Sequence, residues 1–158
     1  SGPEEIQRMK ENGVWVAHCA ESNFNLSSGI APARSFMEAG IPMGLGTDIG
    51  AGTSVSMFRS VKEAIIASKM YWRLVDSSKQ ALSFPEAFYL ATMGGGSFFG
   101  KVGSFLEGYE FDALVIDDRK IRQPVPKDPR NRLERVIYGD DCRVVVDKYI
   151  QGRQIPLS

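Results

Sequence analysis

The run Met43-Gly44-Leu45-Gly46-Thr47-Asp48-Ile49-Gly50-Ala51-Gly52 limits the possible folds more than any other stretch of this chain. A short apolar strand ends in an acidic residue, and a glycine-rich turn follows at once. Barrel enzymes place their chemistry at the C-terminal tips of such strands. A carboxylate is costly there unless a metal, an ion partner or several donors hold it. Asp48 therefore has two readings: a metal ligand that also accepts a proton, or a residue that caps the following turn through its own side chain. A second strand precedes it in Val14-Trp15-Val16-Ala17-His18-Cys19, and a helical stretch at 31–39 lies between the two. That strand–helix–strand order with short links predicts parallel pairing and a right-handed crossover.

Other signals divide the chain in two. A helix is expected near the start, with Ser1 and Glu4 as a capping box and Asn12-Gly13 as its stop. The strand at 14–19 has little polarity, as in a sheet covered on both faces. A polar loop is expected at 21–29. A long helix follows at 55–75 with Phe58, Val61, Ile65 and Trp72 on one face. Ser83 and Glu86 form a second capping box, opening a helix that the glycines 94–96 break. Met57-Phe58 and Phe98-Phe99 read as core. From Gly103 the period changes: a strand at 112–116, an irregular connection at 119–133 and a short strand at 135–138 are expected. The segments 142–150 and 153–155 flank Gln151-Gly152 in a hairpin-like pattern. The expected domains are 1–100 and 101–158.

The pairing of His18-Cys19-Ala20-Glu21-Ser22-Asn23 with Gly44-Leu45-Gly46-Thr47-Asp48 resembles the metal-dependent amidohydrolases that deaminate purines, pyrimidines and related rings. Asn25-Leu26-Ser27-Ser28-Gly29, Gly52-Thr53-Ser54-Val55-Ser56-Met57 and Leu90-Ala91-Thr92-Met93-Gly94-Gly95 are similar to the guanine deaminases within that superfamily. Phe105-Leu106-Glu107-Gly108-Tyr109-Glu110-Phe111-Asp112-Ala113 is similar to the strand that returns those chains to a small β-domain. One departure is Ala20, where the family usually has proline; it relaxes the backbone without removing a chemical group.

The resemblance implies an α/β fold: the last two strands and helices of a (β/α)8 TIM barrel, with strands of an accessory β-sandwich. A whole barrel takes about 250 residues, so the C-terminal portion of a deaminase is expected. The family holds zinc through a His-x-His pair, two further histidines and the aspartate of the last strand, whereas this chain has one histidine, His18. A catalytic zinc takes about three protein ligands plus water, a set that Asp48, His18, Cys19 and Cys142 cannot rebuild. The resemblance thus implies zinc as cofactor, Asp48 as one ligand and proton acceptor, and hydrolysis of guanine to xanthine and ammonia. The chain alone is expected to be inactive. Alternatives are another ring deaminase of the superfamily, or a non-catalytic assembly module.

The remaining candidates each have a plain structural reading beside the functional one. His18 is a hydrogen-bonded structural histidine or a residue lining the site. Ser22 and Asn23, with Ser27 and Ser28, are loop formers or partners for a purine edge. Cys19 is a small apolar residue with nothing nearby to activate its thiol. Gly50 and Gly52 precede a helix but lack the lysine of a phosphate loop, so a tight turn beside Asp48 is their expected role.

Nineteen acidic and nineteen basic residues balance, which argues against nucleic-acid or anionic-membrane partners. The cluster Arg130, Arg132 and Arg135, interleaved with Asp128, Glu134 and Asp140, reads as a solvated loop. No apolar run approaches the roughly 20 residues that cross a bilayer. Two distant cysteines suit a reducing, cytoplasmic setting. The expected partners are a small purine and either a second copy of the chain or a preceding N-terminal portion, since unpaired strand edges invite association.

Overall fold

Helix α1 (Pro3–Glu11) begins with a proline whose fixed φ suits the first helical turn, and the chain leaves it through Gly13 at φ 62°. The computed structural model describes residues 2–121, 128–139 and 142–157. Ser1 lies outside them, and Gly2 holds the N-cap position. Strand β1 (Val16–His18) then pairs in parallel with β2 (Met43–Leu45), as predicted, in the register Val16–Met43, Ala17–Gly44 and His18–Leu45. Ala17 of β1 is exposed among the described residues, while its partner Gly44 on β2 is buried, so the expected cover on both faces is met at β2 and not at Ala17.

Two short helices join the strands: α2 (Ala20–Asn25) and α3 (Ala33–Glu38). The second matches expectation. The first replaces most of the polar loop expected at 21–29. Serine and asparagine favour turns by propensity, but Ala20 and Ser22 are both buried, at 4 % exposure, and their burial outweighs that preference.

Strand β2 is packed from two directions. Met43 joins Ala33, Phe36, Ile41, Leu82 and Leu90 in one apolar cluster, and Val61, Ile65, Ala87 and Ile137 form another; Leu45 packs against both. Each fully buried aliphatic side chain of this size contributes roughly 1.5–3 kcal/mol. Helix α4 (Met57–Leu74) supplies Val61 and Ile65 and is capped by the Ser56 hydroxyl, which accepts the Arg59 N–H at 3.2 Å. Trp72, expected on the same buried face, is 44 % exposed, because beyond Ser68 the helix outruns the core and only Tyr71 stays partly covered.

Helix α5 (Phe84–Tyr89) opens with the expected Ser83–Glu86 pair, in which Glu86 accepts the Ser83 N–H at 2.7 Å. Arg34 of α3 also grips Glu86 with two bonds of 2.7 and 2.9 Å. The Arg34 hydrogen bond is the chief cause that pulls the Glu86 carboxyl down to about 2. The glycines at 94–96 do not break the helix. It continues through a π-helical turn (Leu90–Gly94), with Gly95 and Gly96 still helical. Here glycine serves close approach: a Cβ on Gly44 of β2 would lie 2.6 Å from the Gly95 Cα.

In the second half, β3 (Ala113–Ile116), β4 (Val145–Ile150) and β5 (Arg153–Ile155) form an antiparallel sheet in that order. Gln151 and Gly152, at φ 49° and 75°, make the two-residue turn of the expected hairpin. The strand expected at 135–138 is instead part of helix α6 (Pro129–Gly139). Val136 and Ile137 are buried and Leu133 is partly buried, the spacing of one helical face. The arginine cluster is therefore helical: Arg130 pairs with Glu134 at 2.9 Å and Arg132 with Asp118 at 2.7 Å. Asp140 and residues 122–127 of the expected irregular connection lie outside the described residues.

Phe98 and Phe99 are not core; they are 62 % and 80 % exposed. They follow the helix end in a turn, and Phe98 meets both Trp15 and Phe99 edge-on at 5.2 Å. Met57 is likewise exposed, while Phe58 packs on the second cluster.

Because main-chain atoms oppose a side chain at Gly44, Gly44→Ala is expected to destabilise the fold by about 3 kcal/mol. Gly139→Ala, within α6 and meeting nothing within 4 Å, is expected not to destabilise the fold. Urea unfolding of the two variants measures the difference.

Candidate functional site

After Leu45 the chain leaves β2 through Gly46 and Thr47 and turns at Asp48, whose φ of 47° is left-handed. Aspartate tolerates this region better than most residues because its short polar side chain bonds locally. The Asp48 carbonyl accepts the N–H groups of Ala51 at 3.1 Å and Gly52 at 2.6 Å, which closes the turn. A Cβ on Gly52 would stand 2.0 Å from the Thr47 carbonyl oxygen, so the turn needs glycine there.

The Asp48 residue is exposed, and its Oδ2 accepts a hydrogen bond from Ser22 Oγ at 2.7 Å. Ser22 is buried on α2, so its hydroxyl is a fixed donor. The contact joins two motifs 26 positions apart. One carboxylate oxygen is engaged and the group is oriented, while the carboxylate retains further acceptor capacity.

His18 ends β1 at 3 % exposure, and its carbonyl accepts the Gly46 N–H at 3.1 Å. Burial lowers its imidazole to about 4, so it is neutral near pH 7. Its Nε2 is buried with no hydrogen-bond partner among the described residues. Cys19 is partly buried, and burial together with the nearby Asp48 charge pushes its thiol up, away from the thiolate form that reacts. Asn23 is partly buried on α2, where its N–H donates to the Cys19 carbonyl at 3.2 Å. The Ser28 N–H closes the end of α2 on the Asn23 carbonyl at 2.9 Å, and Ser27 is left-handed at φ 55°.

Helix α2 grips the Asp48 turn at two further places. Asn25 Nδ2 donates to the Ala51 carbonyl at 2.7 Å. Glu21 Oε1 accepts the Thr53 hydroxyl and pairs with the Arg59 guanidinium at 2.7 Å. Glu21, Asn25 and Thr53 fall inside stretches that carry the resemblance, but nothing there marks these contacts, and Arg59 lies outside those stretches. Their one trace in the sequence is the four-residue spacing of Glu21 and Asn25, which puts them on the same side of a helix; a loop reading of 21–29 conceals it.

Zinc needs about three protein ligands in a catalytic centre. Among the described residues no group of three or more His, Cys, Asp or Glu side chains gathers as a metal site. The exposed, oriented Asp48 carboxylate suits one position in such a centre, and the described residues do not complete the set. Nor is any helix among them long and apolar enough to cross a membrane.

With this geometry in place, comparison with known proteins assigns the family. The amidohydrolase family model matches residues 1–155. A guanine deaminase of Dictyostelium discoideum is 33 % identical over 96 % of this chain and 35 % of its own length. The crystal structure of a guanine deaminase from C. acetobutylicum, with guanine bound in its active site, superposes at a TM-score of 0.93 with 48 % identity, covering 98 % of this chain and 37 % of that one. An adenosine deaminase from Xanthomonas campestris with bound zinc superposes at 0.81 with 29 % identity, covering 98 % and 34 %. The chain belongs to the amidohydrolase family. It spans about a third of the length of the curated relatives it matches.

The buried histidine gives a pH dependence. The folded-state value of about 4 lies below the ordinary 6.5, so the unfolded chain binds the proton more readily. The stability that neutral His18 allows is complete above pH 6.5 and declines as pH falls toward 4. The total loss is on the order of 3 kcal/mol. Denaturant midpoints between pH 7 and 4 are expected to fall for the parent, and His18→Gln is expected to flatten that part of the slope.

Proposed function

We propose that this chain is the C-terminal part of a zinc-dependent guanine deaminase, in which guanine and water give xanthine and ammonia. The observation that carries the reading is the Ser22-held carboxylate of Asp48 at the tip of β2, within a fold very close to that of a guanine-bound relative. On this reading residues 1–100 are the C-terminal segment of a (β/α)8 barrel and 101–158 belong to an accessory β-sandwich. The parallel β1–β2 pair, the exposed Ala17 and the exposed Phe98, Phe99 and Phe105 support it, since they offer edges and apolar surface for a preceding N-terminal portion.

Asp48 supplies one zinc ligand, and the remaining ligands and the acid come from that preceding portion. A zinc ion held there would supply a water acidic enough to ionise near neutral pH. The Asp48 carboxylate would be the group of this chain that accepts a proton. Ser22 keeps that carboxylate in one orientation through the cycle. His18, neutral and shielded from bulk water, and Asn23 line the purine site without adding charge. The enzyme is cytoplasmic, its partner is a small purine, and copies of it pair in solution.

A second reading within the same chemistry, a deaminase of adenosine-like substrates, is favoured by the zinc-bound adenosine deaminase that shares the fold. Assaying the full-length enzyme on guanine and on adenosine separates the two: xanthine formation supports the first, and inosine formation without xanthine supports the second. Asp48→Asn is expected to reduce turnover to background and to release zinc. Ser22→Ala is expected to weaken zinc binding about 10- to 100-fold while keeping the fold. The 158-residue chain alone, supplied with zinc and guanine, is expected to produce no xanthine.

A further inference from the structure

We infer that Glu21 and Arg59 are positioning residues for Asp48, an ion pair that holds the carboxylate turn in place from outside the strand that carries it. The inference rests on Asp48 as a ligand and goes beyond it by giving a task to two residues on α2 and α4.

Asp48 needs outside support. It is exposed, it has a left-handed φ of 47°, and it stands beyond a strand only three residues long. Inside the turn the main chain provides only short-range bonds, from Ala51 and Gly52 to the Asp48 carbonyl and from Gly50 to the Gly52 carbonyl. The remaining contacts come from α2, which touches the turn at Asp48 through Ser22, at Ala51 through Asn25 and at Thr53 through Glu21.

Glu21 is the residue through which these contacts reach the rest of the fold. A single oxygen, Oε1, accepts the Thr53 hydroxyl and pairs with Arg59 at 2.7 Å. Arg59 lies in the first turn of α4, so Glu21 joins α2, the far end of the turn and the start of the next helix. Helix α2 has six residues and no side-chain cap, and Ser22 follows Glu21 directly. A shift of Glu21 therefore carries the Ser22 hydroxyl away from Asp48.

Partial burial separates this pair from an ordinary surface ion pair. The Glu21 side chain is 16 % exposed and that of Arg59 39 %, with the Arg59 Nε atom covered. By contrast, Arg119, paired with Asp117, is 88 % exposed. Removing Arg59 leaves a largely covered carboxylate without its cation, an unfavourable state that Glu21 relieves by turning to solvent.

In the full-length enzyme, Glu21→Gln, Arg59→Gln and the exchanged pair Glu21→Arg with Arg59→Glu test this. Zinc affinity by chelator competition, kcat and KM for guanine, and the melting temperature are measured for each. Both single variants are expected to weaken zinc binding about tenfold and to lower kcat more than they raise KM. The exchanged pair is expected to recover most of that loss, and Arg119→Gln to change neither. Single variants that melt earlier while zinc affinity and kcat stay at the parent values would overturn the proposal. A parent enzyme that holds zinc but leaves guanine intact defeats the substrate assignment alone, and the order of zinc affinities still decides for or against the clamp.

Discussion

Leu45 packs against both apolar clusters, and that double burial determines where β2 ends and where Asp48 begins. A strand of three residues has little hydrogen bonding of its own, and a slip of one residue would invert the facing of each side chain. Burial of Met43 and Leu45 excludes such a slip. The register places His18 opposite Leu45 and leaves Gly46, Thr47 and Asp48 to emerge at the sheet end. Ser22 can meet Asp48 only because this alignment holds.

The parts of the fold legible in the sequence are those where local signals agree with tertiary packing. Met43 to Leu45 is an apolar run closed by glycine, Ser83 and Glu86 lie at capping-box spacing, and Gln151-Gly152 is a turn dipeptide between β-branched stretches. Each of these forms in the structure as the residues suggest. The departures have physical causes. At α2, the burial of Ala20 and Ser22 is a tertiary effect with no local mark. At α6, Val136 and Ile137 look strand-like in a short window, and the helix is evident only when Leu133 is counted with them. At 94–96 the glycines read as punctuation, whereas the helix runs on and a Cβ on Gly96 would collide with the main chain of Val102.

The candidate site divides in the same way. Asp48 announces itself through position and chemical type. Ser22 was visible as a polar residue near a strand end, but its task appears only when two distant segments meet at 2.7 Å. Glu21, Asn25 and Thr53 stand in the stretches that carry the resemblance and Arg59 outside them, and in none does the sequence show the contact that the geometry makes: a short helix laid along a turn.

Gly44 and Gly95 meet through backbone alone. The spacing between β2 and the helix behind it is thus set by main-chain thickness. A change among Val, Leu, Ile and Met in the surrounding core leaves that backbone contact in place. The strand that ends at the Asp48 turn therefore has a seat that does not depend on the shape of any one aliphatic side chain.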